Sequence, residues 1–173
     1  MDFSRVRTGE MIAGLSGIAL FLFMFFSWFG VSTPDEIDGV PIVQAEGSAS
    51  AWEAFDFIDI VLLLAVVAAV GLLVLSASQA SVNLPVAASA ITAGLGILAT
   101  LLVLYRIIDP PDFGVSGLDV SRKIGVYLGL IASAGIAVGG WMAMQEEGTS
   151  FSGEADRLGG GPGEGAPPPP SGT

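Results

Sequence analysis

No cysteine and no histidine occur in the chain of 173 residues. Without cysteine there is no disulfide framework, no thiolate nucleophile and no thiolate metal site. Without histidine the commonest general base and the commonest metal ligand are both missing. Charge is scarce, at 13% of residues, and lopsided: six Lys and Arg stand against 17 Asp and Glu, a net charge of -11. Tracking the phosphates of nucleic acid needs basic patches, so nucleic acid is excluded as a partner. Neither G-x-x-x-x-G-K-[ST] nor G-x-S-x-G occurs, and the serines have no histidine to activate them. Asp35, Glu36 and Asp38 crowd one segment without the EF-hand spacing or its terminal Glu. No catalytic, cofactor-binding or metal-ligating residue is therefore assigned. No cofactor is expected, and the chain is read as a non-enzyme.

What the chain has in excess is apolar surface. Hydrophobic residues make up 52% of it, with a mean hydropathy of +0.74. That is too apolar for an ordinary soluble domain. Four runs, each close to the roughly 20 residues that cross a bilayer as a helix, predict spans at about 11–29, 57–76, 86–106 and 122–144. The expected fold class is an all-α membrane protein: a four-transmembrane-helix bundle over residues 1–147, followed by a disordered Gly/Pro-rich tail over 148–173. The tail's composition cannot bury a core, and its Pro167 to Pro170 run suits a spacer better than a polyproline ligand. The first run follows Arg5 and Arg7 but is longer than a signal-peptide core. The small-residue stretch Gly47 to Ala51 lies too far beyond it for cleavage, so it is read as a retained span.

Arg5 and Arg7 precede span one, while the segment from Val31 to Asp56 holds six acids and no Lys or Arg. The positive-inside rule then puts the N-terminus in the cytoplasm, and four spans return the C-terminus there. Arg106, Arg122 and Lys123 fall outside under this threading and balance Arg5, Arg7 and Arg157 inside. The first span breaks the tie, because it usually dominates orientation. Aromatic residues crowd the end that carries Phe25, Phe26, Trp28, Trp52, Phe57, Tyr105 and Tyr127.

Three acids stand at the threshold of span two in "SASAWEAFDFIDIVLLL". Ser50 and Glu53 have the capping-box spacing and predict a helix start near Ala51. Asp56 and Asp59 lie beyond that cap. Counting back along the span puts Asp56 in the headgroup zone and Asp59 just inside the hydrocarbon. The end of span three must share that side, which brings Arg106 to similar depth. An interhelical ion pair of Asp59, with Asp56, to Arg106 is expected, with Arg122 or Lys123 as alternates. It serves either as a structural rim pair or as a polar binding or proton-transfer site.

Gly125, Gly129, Ser133 and Ala137 recur at spacings of four along span four and form a candidate helix-packing stripe. Ala90 and Gly94, Ala65 and Ala69, and Ala13 and Gly17 offer shorter versions on the other spans. Small residues at this spacing let helix backbones approach in lipid, within one bundle or across an oligomer seam.

"FSWFGV" (Phe26 to Val31), "YRIIDPP" (Tyr105 to Pro111) and "GLIASAGIAVGGWMAM" (Gly129 to Met144) resemble small four-span membrane proteins of GC-rich actinobacteria. The resemblance spans residues 8–147. It implies location in the cell membrane and the number of spans, and it carries over no site residue and no activity. A bacterial source also fits the usage of one Lys against five Arg. The expected function is that of a non-enzymatic accessory or scaffold subunit. Its partners would be the lipid bilayer and either a membrane-protein partner or a second copy. The alternative is a small transporter or ion pathway that uses Asp59 and Arg106.

Overall fold

The computed structural model describes residues 6–33, 36–37, 40–41, 46–55, 57–78, 85–111 and 119–146. The chain is mostly helical. Its elements are α1 (Thr8–Phe23), β1 (Ser27–Ser32), β2 (Glu36–Ile37), β3 (Val40–Pro41), β4 (Glu46–Ser50), α2 (Ala51–Ala54), α3 (Ile58–Ala77), α4 (Pro85–Ile108), β5 (Asp119–Arg122) and α5 (Ile124–Glu146). Among the described residues three helices are long and apolar enough to cross a membrane: α3, α4 over Ala88–Ile108, and α5. The 20 residues of α3 rise about 30 Å, the thickness of the hydrocarbon. The 16 residues of α1 rise only about 24 Å.

The sequence explains the helix ends. Pro85 opens α4, where its missing N–H costs nothing. Asp109, Pro110 and Pro111 follow its last residue and forbid continuation. At the end of α3, Ser78 folds its hydroxyl onto the Val74 carbonyl at 2.6 Å and its N–H onto the same carbonyl. That satisfies an acceptor the helix leaves open.

Span one departs most from its expected bounds. Instead of one helix over 11–29, the chain turns at Met24 to Phe26 and runs on as β1. The all-α expectation is corrected with it. Strands β4, β1 and β5 form a three-stranded antiparallel sheet in that order, and β2 pairs with β3. Span four likewise begins at Ile124, because 119–122 belong to β5. Hydropathy counted Trp28 and Phe29 as the end of a membrane run. Their burial is the burial of a strand, which an apolar run of this length does not distinguish from a helix.

A β-bulge makes that burial possible. Ser27 pairs with Ser50 and Phe29 with Ala49, which leaves Trp28 as the extra residue. Strand side chains alternate between faces, so two consecutive inward residues need such a break. Trp28 and Phe29 are both fully buried. The Trp28 indole donates to the Phe23 carbonyl at 2.8 Å, closing the end of α1.

α5 packs against both α1 and α4, and α3 packs against the same two helices from the other side. The contacts run through glycine. A Cβ on Gly96 of α4 would meet Ala137 N at 2.5 Å, and one on Gly140 of α5 would meet Ala93 N at 2.6 Å. One on Gly139 would meet the backbone of Gly9 and Ala13 in α1, and one on Gly17 the side chain of Ala69 in α3. Backbones at this distance gain dispersion contacts that lipid tails do not replace. Large side chains such as Leu64, Val67, Ile91, Leu101 and Ile131 point outward and are exposed.

Candidate functional site

The sheet lies across the end of the helices that carries Phe55, Asp59 and Arg106. The capping box is formed in part as read: the Glu53 carboxylate accepts the Ser50 N–H and the Ser50 hydroxyl, both at 2.9 Å. These two donors hold the Glu53 carboxyl below the usual carboxylate range, against a smaller opposing effect of desolvation. The helix they start is short. α2 stops at Ala54, Phe55 is extended, and α3 begins afresh at Ile58.

That break changes the meaning of Asp59. In a continuous helix from Ala51 it would lie beyond the first turn, without capping or dipole support. In the structure it is a first-turn residue of α3, and its carboxylate accepts the Ile60 N–H at 2.8 Å. An acid there is favoured by the open N–H groups and the helix dipole. Asp59 thus has its own local partner. Among the described residues no ion pair joins it to Arg106. Asp56 lies outside the described residues.

Arg106 stands in the last turn of α4, half-buried, a position that favours a cation. Its guanidinium lies over the rings of Phe55, at 5.7 Å from the centroid, and Tyr105, at 5.8 Å. Its Nε is buried with no hydrogen-bond partner, as is Trp52 Nε1. Phe55 is 4% exposed and meets Trp28 edge-on at 5.6 Å and Phe29 edge-on at 6.0 Å. The residue at the helix break is therefore the shared support of the sheet's core and of the arginine.

The two alternates do other work. Arg122 Nε donates to the Ile107 carbonyl at 2.6 Å and Nη2 to the Ile108 carbonyl at 3.4 Å. It ties β5 to the open acceptors at the end of α4. The Lys123 N–H donates to the Trp28 carbonyl at 2.9 Å, and its side chain covers Gly30 of β1. Tyr105 donates its hydroxyl to Asp109 at 2.8 Å.

The four stripe residues meet different neighbours. Gly125 and Gly129 form the floor under the Trp28 indole, Ala137 meets Gly96 of α4, and fully buried Ser133 donates to the Leu130 carbonyl at 3.0 Å. Gly94 faces open space, while Gly96, two residues on, is the packing glycine of α4. The spacing of four did not single out Gly96, Gly139 or Gly140. Buried Glu10 was also missed, although "RTGE" from Arg7 to Glu10 has the three-residue offset of a cap. Its carboxylate accepts the Arg7 N–H at 3.0 Å.

Among the described residues no group of three potential metal-ligating side chains comes together. The chain is a mostly helical protein with three candidate membrane-spanning helices and a small sheet at their end. No protein-family model matches it, and no curated protein matches it.

Proposed function

We propose that the chain is a non-enzymatic integral protein of the cell membrane and acts as an accessory or scaffold subunit, offering its sheet as the contact surface. In this reading α1 crosses with the three longer helices to complete a four-helix bundle, and both termini are cytoplasmic. Kinship with small four-span actinobacterial proteins belongs to the same proposal. One observation carries it: three hydroxyls inside the helices are closed on their own backbone. Thr92 donates to Ala88 at 2.8 Å, Thr100 to Gly96 at 2.7 Å and Ser133 to Leu130 at 3.0 Å. Between α5 and its neighbours α1 and α4, Gly9, Gly96, Gly139 and Gly140 sit against backbone. Such contacts suit a rigid anchor, and these three hydroxyls are not free to line a path for a solute.

The test joins purification to flux. The tagged full chain, taken from its native membrane in mild detergent, should bring a stoichiometric partner that is lost when exposed sheet residues such as Ser48 and Ser121 are changed to Lys. Reconstituted alone in vesicles, it should pass no more protons or ions than empty vesicles. Flux that Asp59→Asn or Arg106→Gln abolishes in a folded protein would establish the pathway reading instead.

A further inference from the structure

We propose that Arg106 anchors the phosphate of a membrane phospholipid at the sheet-bearing end of the helices. The argument begins with depth. Arg106 closes the apolar helix α4, and the large side chains around this end face outward: Tyr105, Ile108, Phe57, Ile124 and Tyr127 are all exposed. Outward apolar and tyrosine side chains at a helix end mark the level where hydrocarbon gives way to headgroups. A long cation at that level places its charge among the phosphates.

Chemistry narrows the ligand. The guanidinium carbon lies over two ring faces, at 5.7 and 5.8 Å from their centroids, and the faces supply no oxygen acceptor. Nε has no hydrogen-bond partner. Among the described residues Asp59 accepts the Ile60 N–H and Asp109 the Tyr105 hydroxyl. Arg122 spends its own fork on the α4 carbonyls. What remains is a planar, charged donor fork against which no carboxylate is shown among the described residues. Phosphate, an acceptor with several oxygens, is its natural complement, and at headgroup depth the phosphates belong to lipid. Trp52 strengthens the case. Its Nε1 is a second buried donor without a partner, three residues before the Phe55 ring on which Arg106 rests. The ester carbonyls beneath a lipid phosphate are acceptors suited to an interfacial indole.

The test is binding of phosphatidylglycerol to the purified full chain in mild detergent, counted by native mass spectrometry, with inorganic phosphate as competitor. The wild type should hold one lipid per chain. Arg106→Gln should weaken it about tenfold or more, Arg106→Lys should fall between the two, and Lys123→Gln should change it less than about twofold. Equal binding by an Arg106→Gln protein that elutes as wild type would overturn the proposal. So would equal loss in Lys123→Gln, which would mean diffuse charge. Displacement of the lipid by an equal concentration of inorganic phosphate would assign the site to free anions and overturn the lipid. Should Arg106→Gln fail to fold, Arg106→Lys and the phosphate competition on the wild type decide.

Discussion

Gly94 and Gly96 lie two residues apart on α4 and present the structure with a clean contrast. A Cβ added at Gly96 meets Ala137 N at 2.5 Å, Ala137 Cα at 2.8 Å and the Ile136 carbonyl carbon at 2.9 Å. Unstrained contact between such atoms needs about 3.5 Å or more. All three are backbone atoms of α5, so no rotamer change relieves the clash, and the two helices must part by close to 1 Å at their crossing. Overpacking of this kind costs about 1–3 kcal/mol. A Cβ added at Gly94 meets nothing within 4 Å. Gly94→Ala should therefore be neutral within about 0.5 kcal/mol, or slightly stabilising through helix propensity. Unfolding of both variants in mixed micelles, followed by circular dichroism, separates the two. Equal effects at the two positions would refute the glycine-mediated α4–α5 contact, and so would destabilisation by Gly94→Ala alone.

The local capping of Asp59 implies that Asp59→Asn and Arg106→Gln act independently, with a double-mutant coupling energy below about 0.5 kcal/mol; a coupling of 1 kcal/mol or more would restore the ion pair. Trp28→Phe removes the bond to the Phe23 carbonyl and should cost about 1–2 kcal/mol in the same micelle titration, whereas no loss would mean that the indole N–H is dispensable. Arg122→Gln should cost no more than about 1 kcal/mol because the residue is exposed, yet amide exchange should quicken in the last turn of α4 while the middle of the helix is unchanged. For Glu53 the sign follows from its lowered pKa: the carboxylate's contribution is fully present above the ordinary carboxylate range and is lost as pH falls through the folded value. Trp52 fluorescence should report an acid transition that Glu53→Gln removes, and a transition that persists in that variant would place its cause elsewhere.

Membrane-scale features were legible in the sequence because they are sums over many residues. The runs behind α3, α4 and α5 differ from the observed helices by one or two residues at each end, and Pro85 and Pro110 sit where a missing N–H and a fixed φ put helix boundaries. The start of α2 at Ala51 was legible from Ser50 and Glu53. The sheet was not. Its strands are short, and Phe29 pairs with Arg122 while Ser27 pairs with Ser50. These partners lie far apart in the chain and carry no shared local pattern. Trp28 was doubly hidden, first inside an apolar run and then by a bulge that breaks the alternation by which strands are recognised. The packing glycines failed for a related reason. A spacing of four marks one helix face, but only the crossing geometry decides which face meets a neighbour, so Gly94 looked equivalent to Gly96.

The interruption between α2 and α3 connects these observations. Had Ala51 to Ala77 formed one helix, Asp59 would have entered the hydrocarbon as an uncapped charge, with Arg106 as its natural neutraliser. The break gives Asp59 a helix N-terminus of its own, which favours its negative charge there. It also frees the Phe55 backbone to extend, which seats the ring against Trp28 and Phe29 on one side and Arg106 on the other. Among the described residues α4 thus ends in a cation supported by aromatic faces and by no carboxylate. The ring that carries this cation also carries Trp28 and Phe29, so Arg106 is the residue at which the end of α4 and the core of the sheet are coupled.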